Sequence, residues 1–162
     1  MKLFQNLFGK EDGIKLVSPV LGKLVSIKEV SDPTFSEEIL GKGVAIIPSE
    51  GKFCAPAKGT VTTVFPTGHA AAITTEEGVE VLIHIGLDTV KLDGKHFTII
   101  AQEGQKVNAG DVLIEADLSQ IKEEGYDIIT PIIICNSDEF SEIAPEADSD
   151  VACGDTIITL KK

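Results

Sequence analysis

Two histidines next to short apolar runs are the residues of this chain best suited to chemistry. His84 follows the apolar run Val81–Ile83, and His69 precedes the apolar run Ala70–Ile73. A neutral imidazole nitrogen is a nucleophile near neutral pH, so a histidine can accept a phosphoryl group and pass it on. Imidazole is also a common ligand of zinc. Two imidazoles held side by side on rigid strands therefore predict either a phosphoryl-transfer pair or half of a metal site.

Whether these two side chains meet depends on the turn between their strands. The polar segment Thr74–Gly78 predicts a β-hairpin. If the two glutamates of this segment form the loop, His69 lies directly opposite His84, with Cβ atoms about 4.5–5.5 Å apart. A type I turn with a bulge at the glycine shifts the pairing by one residue and turns the histidines to opposite faces. The residues leave both registers open, as well as the simpler interpretation of two isolated histidines on half-buried strands.

The elements that must position the histidines are short strands. Runs rich in Val, Ile and Thr alternate with Gly, Pro, Asp and Asn, which is typical of an all-β sandwich or barrel. The expected strands are Lys23–Ile27, Gly43–Ile47, Gly59–Val64, Ala70–Thr74, Val79–Ile85, Thr98–Ala101, Asp111–Glu115, Ile132–Cys135 and Thr156–Leu160. The expected helical turns are Pro33–Leu40, Leu118–Gly125 and a short piece near Met1.

Two internal echoes predict a duplicated plan. The segment that begins at Pro19 resembles the segment that begins at Pro56, and the segment from Val107 resembles that from Val151. The second pair shares a Gly-Asp turn, which is ordinary punctuation between strands. Two echoes indicate two copies of one unit, because a repeat array needs more.

Length, charge and cysteine content limit the class of protein. The chain has 162 residues and a net charge of −12. We expect one domain over residues 17–162, preceded by a flexible or amphipathic segment over residues 1–16. The acidic charge argues against nucleic-acid binding, which requires Lys and Arg. Cys54, Cys135 and Cys153 are unclustered and no secretory signal pattern is present, so we expect reduced thiols in the cytoplasm.

The segment Gly78–Val90 resembles the active-site signature of the glucose-family enzyme IIA proteins, which belong to the bacterial phosphoenolpyruvate-dependent sugar phosphotransferase system. Every constrained position of that signature is matched. The resemblance continues through Phe35–Pro48, Ala55–Val61 and Phe97–Asp111, and spans nearly the whole chain. It implies an all-β antiparallel sandwich or barrel, with a duplicated hybrid motif and a few short helical turns.

The resemblance also implies roles for individual residues. His84 would be the phosphoryl acceptor, and His69 would stabilise the charge of the transferring group. Thr67 would order the pair, Gly86 would let backbones approach the phosphate, and Asp88 would orient the site through hydrogen bonds. The apolar rim expected to contact partners consists of Phe35, Ile39, Leu40, Phe65, Leu82 and Val90. Each rim residue is also compatible with core packing.

The implied activity is that of a phosphotransferase relay in sugar transport. The donor would be the phosphocarrier protein HPr, and the acceptor would be a cysteine of a glucose-type enzyme IIB domain. Regulatory target proteins would bind the unphosphorylated state. No cofactor is required, but His69 and His84 would hold zinc weakly if a partner supplied a further ligand.

Further interpretations concern an alternative function and residues outside the signature. A zinc hydrolase on a related barrel is the alternative function, because His84 and Asp88 have the spacing of one ligand pair in lysostaphin-like peptidases. The His-x-His ligand of those enzymes is absent. Residues 1–10 carry four apolar side chains at helical spacing between lysines, which resembles a segment that lies on anionic membranes. We therefore expect weak peripheral contact at the inner face of the membrane. His96 is interpreted as a loop histidine without a role in the site, and Cys54 as a buried residue that only fills space in the core.

Overall fold

A computed structural model describes residues 13–162, which form short strands and very little helix. The strands are β1 Ile14–Val17, β2 Gly22–Ser26, β3 Lys42–Pro48, β4 Lys52–Cys54, β5 Gly59–Val64, β6 Ala70–Thr75, β7 Glu80–His84, β8 Phe97–Ile99, β9 Lys106–Val107, β10 Val112–Ala116, β11 Thr130–Ile134, β12 Glu142–Pro145, β13 Ser149–Val151 and β14 Thr156–Lys161. The α-helices are α1 Pro33–Ser36 and α2 Leu118–Glu123, and 3-10 helices span Ile27–Glu29, Thr89–Leu92 and Ser137–Glu139.

The strands pair antiparallel in three sheets that enclose one core. The largest sheet has the order β13-β2-β3-β11-β7-β6-β5-β9, and the smaller sheets have the orders β1-β14-β12 and β4-β10-β8. Side chains from all three sheets, such as Ile73, Ile114 and Ile158, belong to the same buried cluster. The predicted all-β antiparallel architecture is confirmed.

Equivalent segments of the predicted duplication make equivalent hydrogen bonds. Val17 N–H donates to Pro56 O at 2.9 Å, and Cys54 N–H donates to Pro19 O at 2.8 Å, so equivalent segments exchange bonds across the two copies. In each Gly-Asp turn the aspartate accepts a hydrogen bond, at 2.8 Å, from the backbone N–H three residues earlier. The two small sheets are therefore equivalent parts of the two copies, and both pack against the large sheet.

The boundaries differ from the predicted ones in three places. The helix expected over Pro33–Leu40 ends at Ser36, because Glu38 takes a left-handed conformation with φ of 60°. Residues 14–16, which we assigned to the N-terminal segment, are part of β1, since Ile14 and Leu16 alternate into the core. The short strands β1, β4, β9, β12 and β13 were not predicted.

Residues 1–10, with their predicted membrane contact, lie outside the described residues. Within residues 13–162, no helix is both long enough and apolar enough to cross a membrane.

Candidate functional site

The hairpin β6–β7 adopts the bulged register. Ala70 lies opposite His84, and Ala71 lies opposite Ile83. The turn closes with Gly78 N–H donating to Thr75 O at 2.9 Å, and Gly78 has φ of 90°. This is a three-residue loop, so the register with a loop of two glutamates is wrong.

The two histidine side chains nevertheless meet. The ring centroids of His69 and His84 are 5.0 Å apart, with the ring planes at 80°. Strict alternation does not apply to His69, because it precedes Ala70, the first residue of β6, and follows Gly68, which has φ of 73°. The side chain of His69 is therefore free to turn toward His84, and the pair forms in the register that was expected to separate the two histidines.

A backbone carbonyl sets the tautomer of His84. His84 Nδ1 lies 2.8 Å from Gly86 O, and because a carbonyl oxygen only accepts, Nδ1 carries the proton. The neutral ring then has its free lone pair on Nε2. Gly86 has φ of 76°, and a Cβ there would lie 2.7 Å from Thr89 Cγ2 and 2.8 Å from Asp127 O. Glycine is required at this position by the fold itself.

His69 is held by a hydroxyl and is almost fully buried. Its Nδ1 lies 2.6 Å from Thr67 Oγ1, and the residue is 4% exposed. Burial, and secondly the neighbouring His84, lowers the pKa of His69 to about 4. The ring is neutral at neutral pH. If the Thr67 hydroxyl donates to Nδ1, Nε2 of His69 carries a proton that can be donated to a bound group.

The pKa of His84 is subject to opposing influences. Burial lowers its pKa and dominates, while the hydrogen bond to Gly86 and the carboxylates of Asp32 and Asp88 raise it. Asp88 has φ of 61° and makes no side-chain capping bond to the 3-10 helix that follows it. Asp88 therefore acts on the His84 imidazole through the charge of its carboxylate.

Asp32 is a site residue that sequence reasoning missed. Its carboxylate caps α1 by accepting from Thr34 N–H at 3.0 Å, and its charge also raises the pKa of His84. The Asp-Pro pair at a helix start was a visible signal for the cap. Nothing local indicated that α1 packs beside β7.

The six expected rim residues do not share one environment. Phe35 is only 4% exposed and packs its ring against His84, with centroids 5.0 Å apart, so it does not lie on an exposed rim. Leu82 is partly buried and packs against the buried cluster that contains Phe35. Phe65 packs against His69, with ring centroids 5.2 Å apart, yet is 37% exposed. The remaining three are exposed: Ile39, Leu40 and Val90.

The two imidazoles do not by themselves complete a metal site. Within residues 13–162, no group of three or more His, Cys, Asp and Glu side chains is placed to hold a metal ion. His69 and His84 supply two imidazoles, whereas a structural zinc site has four ligands. Zinc there would need ligands from another molecule. His96 takes a left-handed conformation, with φ of 74°, and pairs with Glu124 instead of the other histidines.

Comparison with known proteins identifies one family. The family model described as phosphoenolpyruvate-dependent sugar phosphotransferase system, EIIA 1, matches residues 14–140. The chain is 41% identical to the glucose-specific EIIA component of Haemophilus influenzae, and the match covers 100% of both chains. It is 42% identical to the glucose-specific EIIA component of Staphylococcus epidermidis, over 95% of both. These matches give the zinc hydrolase alternative no support.

Longer proteins and a solved structure also match. The chain is 52% identical to part of the beta-glucoside-specific EIIBCA component of Bacillus subtilis, covering 76% of this chain but 20% of that protein. The chain thus spans about a fifth of the length of that EIIBCA relative. The fold matches glucose permease IIA from Mycoplasma capricolum with a TM-score of 0.86 and 40% identity, over 92% of this chain and 96% of that one.

Proposed function

Because the chain belongs to the EIIA 1 family of the phosphoenolpyruvate-dependent sugar phosphotransferase system, a family of phosphoryl-relay proteins, we propose that His84 accepts the phosphoryl group on Nε2. The observation that carries this proposal is the hydrogen bond from His84 Nδ1–H to Gly86 O, at 2.8 Å. It directs the lone pair of the neutral ring to Nε2. Burial lowers the pKa of His84, which keeps this lone pair available near neutral pH.

The proposed donor is phosphohistidine on HPr. The lone pair on Nε2 of His84 forms the new nitrogen–phosphorus bond as the bond to the donor imidazole breaks, and the electron pair of the broken bond returns to that imidazole. In a second displacement a cysteine thiolate of a glucose-type IIB domain attacks the phosphorus, the bond from phosphorus to Nε2 of His84 breaks, and its electron pair returns to the His84 ring. Positioning and charge stabilisation supply most of the catalysis in such transfers.

His69 is the proposed charge stabiliser. Its ring lies against that of His84, with centroids 5.0 Å apart, and Thr67 holds its Nδ1. Nε2–H of His69 then donates to a phosphoryl oxygen. A preorganised donor in a water-poor site stabilises the charge of the transition state without reorganisation.

The surface around the pair is the proposed docking site for both partners. Exposed Ile39, Phe65 and Val90 offer apolar contact, while the carboxylates of Asp32 and Asp88 favour a partner with cationic side chains. Phosphorylation adds about −1.5 to −2 charges to this face. A regulatory target that docks there would therefore distinguish the unphosphorylated from the phosphorylated state. The proposed location is the cytoplasm, where HPr and a IIB domain are available.

Zinc is proposed only as a bridge to a partner. Two imidazoles leave a tetrahedral ion two ligands short, so a partner carboxylate and water would complete the site. Zinc should then tighten a particular complex more than it binds the free protein. Calorimetry on the isolated chain that gave tight binding, unaffected by replacing both histidines, would contradict this.

Transfer from phosphoenolpyruvate tests the proposed function. With enzyme I, HPr and labelled phosphoenolpyruvate, the wild-type chain should acquire an acid-labile, base-stable phosphate. His84→Gln should abolish the label, while His96→Gln, which changes a histidine outside the pair, should retain it. Stoichiometric labelling of His84→Gln would contradict the assignment of His84 as the phosphoryl acceptor.

A further inference from the structure

Two cysteines that are distant in sequence lie on either side of one chain segment. Cys54 N–H donates to Pro19 O at 2.8 Å. Gly154, the residue after Cys153, donates its N–H to Ser18 O at 3.1 Å. The duplicated fold thus brings the end of β4 and the turn before β14 to adjoining residues of the segment after β1.

The two cysteines lie beside the same segment but have different environments. Cys54 is buried, with 6% of the residue exposed, whereas Cys153 is exposed in the turn. Burial, followed by the neighbouring Cys153, raises the pKa of Cys54 to about 12. One thiol is therefore accessible to a solute, and the other is close to it and shielded.

We propose that Cys54 and Cys153 form an oxidation site, at which a hydroperoxide converts the two thiols to an intramolecular disulfide. The thiolate of Cys153 attacks the distal oxygen of the hydroperoxide, the O–O bond breaks, and water or an alcohol leaves. The resulting sulfenic acid is then attacked by the sulfur of Cys54. The S–S bond forms, the S–O bond breaks, and the thiol proton leaves with the hydroxyl group as water. Two thiols are oxidised and one peroxide is reduced.

The order of the two steps follows from exposure. The oxidant reaches Cys153 in solvent, and Cys54 is shielded, so Cys153 reacts first and Cys54 resolves. Bond formation requires the sulfur atoms to close to about 2.05 Å. Gly154, with φ of 101°, lies next to Cys153 in the exposed turn, and this turn supplies the adjustment.

The oxidation site is separate from the histidine pair. Cys54 and Pro56 precede β5, whereas Phe65, which packs against His69, follows its end. Six strand residues span about 20 Å. The disulfide should consequently leave the labelling of His84 unchanged within a factor of two, and the test below uses no phosphoryl transfer.

Peroxide treatment followed by peptide mapping tests the proposal. The folded, full chain is treated with hydrogen peroxide, unreacted thiols are alkylated under denaturing conditions, and peptides are mapped without reduction. A linked peptide pair containing Cys54 and Cys153 is expected, together with alkylated Cys135. Thiol reductant should restore three alkylated cysteines.

Variants separate the two roles. Cys135→Ser, the matched control, should form the link like wild type. Cys54→Ser should accumulate a sulfenic acid at Cys153 that a dimedone probe traps. Cys153→Ser, which changes an exposed position, should leave Cys54 reduced. Oxidation of Cys153 in the wild-type chain to sulfinic acid without a link to Cys54, or a link that involves Cys135, would overturn the proposal.

Discussion

At the level of single residues, the two histidines differ in what their Nδ1 atoms meet. His84 Nδ1 faces a carbonyl oxygen, which forces it to be a donor, whereas His69 Nδ1 faces the hydroxyl of Thr67, which can donate to it. One ring then presents a lone pair and the other presents an N–H. The residue types are readable from the sequence, whose pattern left the pairing open, and the tautomers require the positions of Gly86 O and Thr67.

Replacing His69 should separate acceptance from onward transfer. We expect His69→Gln to accept phosphate from HPr and to pass it to IIB roughly 10²–10³ times more slowly, because a preorganised donor to the phosphoryl group is lost. Rapid-quench measurement of transfer from the phosphorylated chain to IIB checks this, with His96→Gln as the control. Onward transfer within a factor of two of wild type would leave His69 a purely structural residue.

Burial of His69 should make stability depend on pH. Its pKa is lowered to about 4 in the folded state, so below about pH 6.5 the unfolded chain takes up the proton more readily than the folded chain. The free energy of unfolding should fall as pH falls through this window, with a contribution from His69 of up to about 3 kcal/mol. Urea unfolding from about pH 7 to about pH 4 measures it. His69→Gln should flatten the curve relative to wild type, and identical slopes would contradict the prediction.

The two carboxylates beside His84 should tune its pKa. Asp32→Asn and Asp88→Asn should each lower the pKa of His84, because each removes a negative charge that favours the imidazolium. Asparagine preserves the helix cap of Asp32 and tolerates the left-handed conformation of Asp88. NMR titration of the His84 ring measures the shift. Asp150→Asn, an exposed change on β13, is the control, and an equal or higher pKa in both site variants would refute the electrostatic role.

At the level of elements, the hairpin shows how far sequence reasoning reaches. The nine expected strands all occur, because runs of Val, Ile and Thr between turn residues are strong local signals. The sequence left the register of β6 and β7 undecided, since residues 74–78 are compatible with both a two-residue loop and a bulge at Gly78. Opposite faces were expected from the bulged register, yet His69 lies just outside β6 and escapes alternation. Strand ends are where a periodic pattern stops predicting side-chain direction.

Two glycines of this hairpin and its following turn provide a matched pair of substitutions. Gly86→Ala should cost roughly 2–4 kcal/mol and reduce labelling, because φ is 76° and the new Cβ would lie 2.7 Å from Thr89 Cγ2. Gly78→Ala should cost only about 1 kcal/mol of backbone strain, since φ is 90° but nothing lies within 4 Å of the new Cβ. Chemical denaturation and His84 labelling measure both variants. Equal losses in the two would show that contact at Gly86 is unimportant.

At the level of the whole molecule, long-range packing limits what sequence can predict. The two echoes correctly indicated a duplicated fold, because each carries its own turn residues. Asp32 and Phe35 reach His84 only because α1 folds over the face of the large sheet. The expectation that Phe35 lies on the rim came from the family resemblance, whereas its ring is buried against His84. Contacts of this kind depend on how the sheets assemble, and no local sequence pattern predicts them.

The N-terminal segment is a further whole-molecule question, because its expected role concerns a membrane acceptor and not the site. Leu3, Phe4, Leu7 and Phe8 would form one apolar face, with lysines at both ends that favour anionic headgroups. The chain carries a net charge of −12, so binding should be weak and should decrease with salt. Deleting residues 1–10 should leave labelling by HPr unchanged and slow transfer to IIB in intact vesicles.

Comparison of two acceptors decides whether the membrane is involved. Transfer from the shortened chain to IIB as a soluble domain should equal wild type, because β1 begins at Ile14 and the deletion spares the paired strands. A matched variant, with Leu3, Phe4, Leu7 and Phe8 changed to Ser, keeps the lysines and should slow only the vesicle reaction. If transfer to both acceptors fell equally, residues 1–10 would be acting on the fold or the site, and the membrane contact would be rejected.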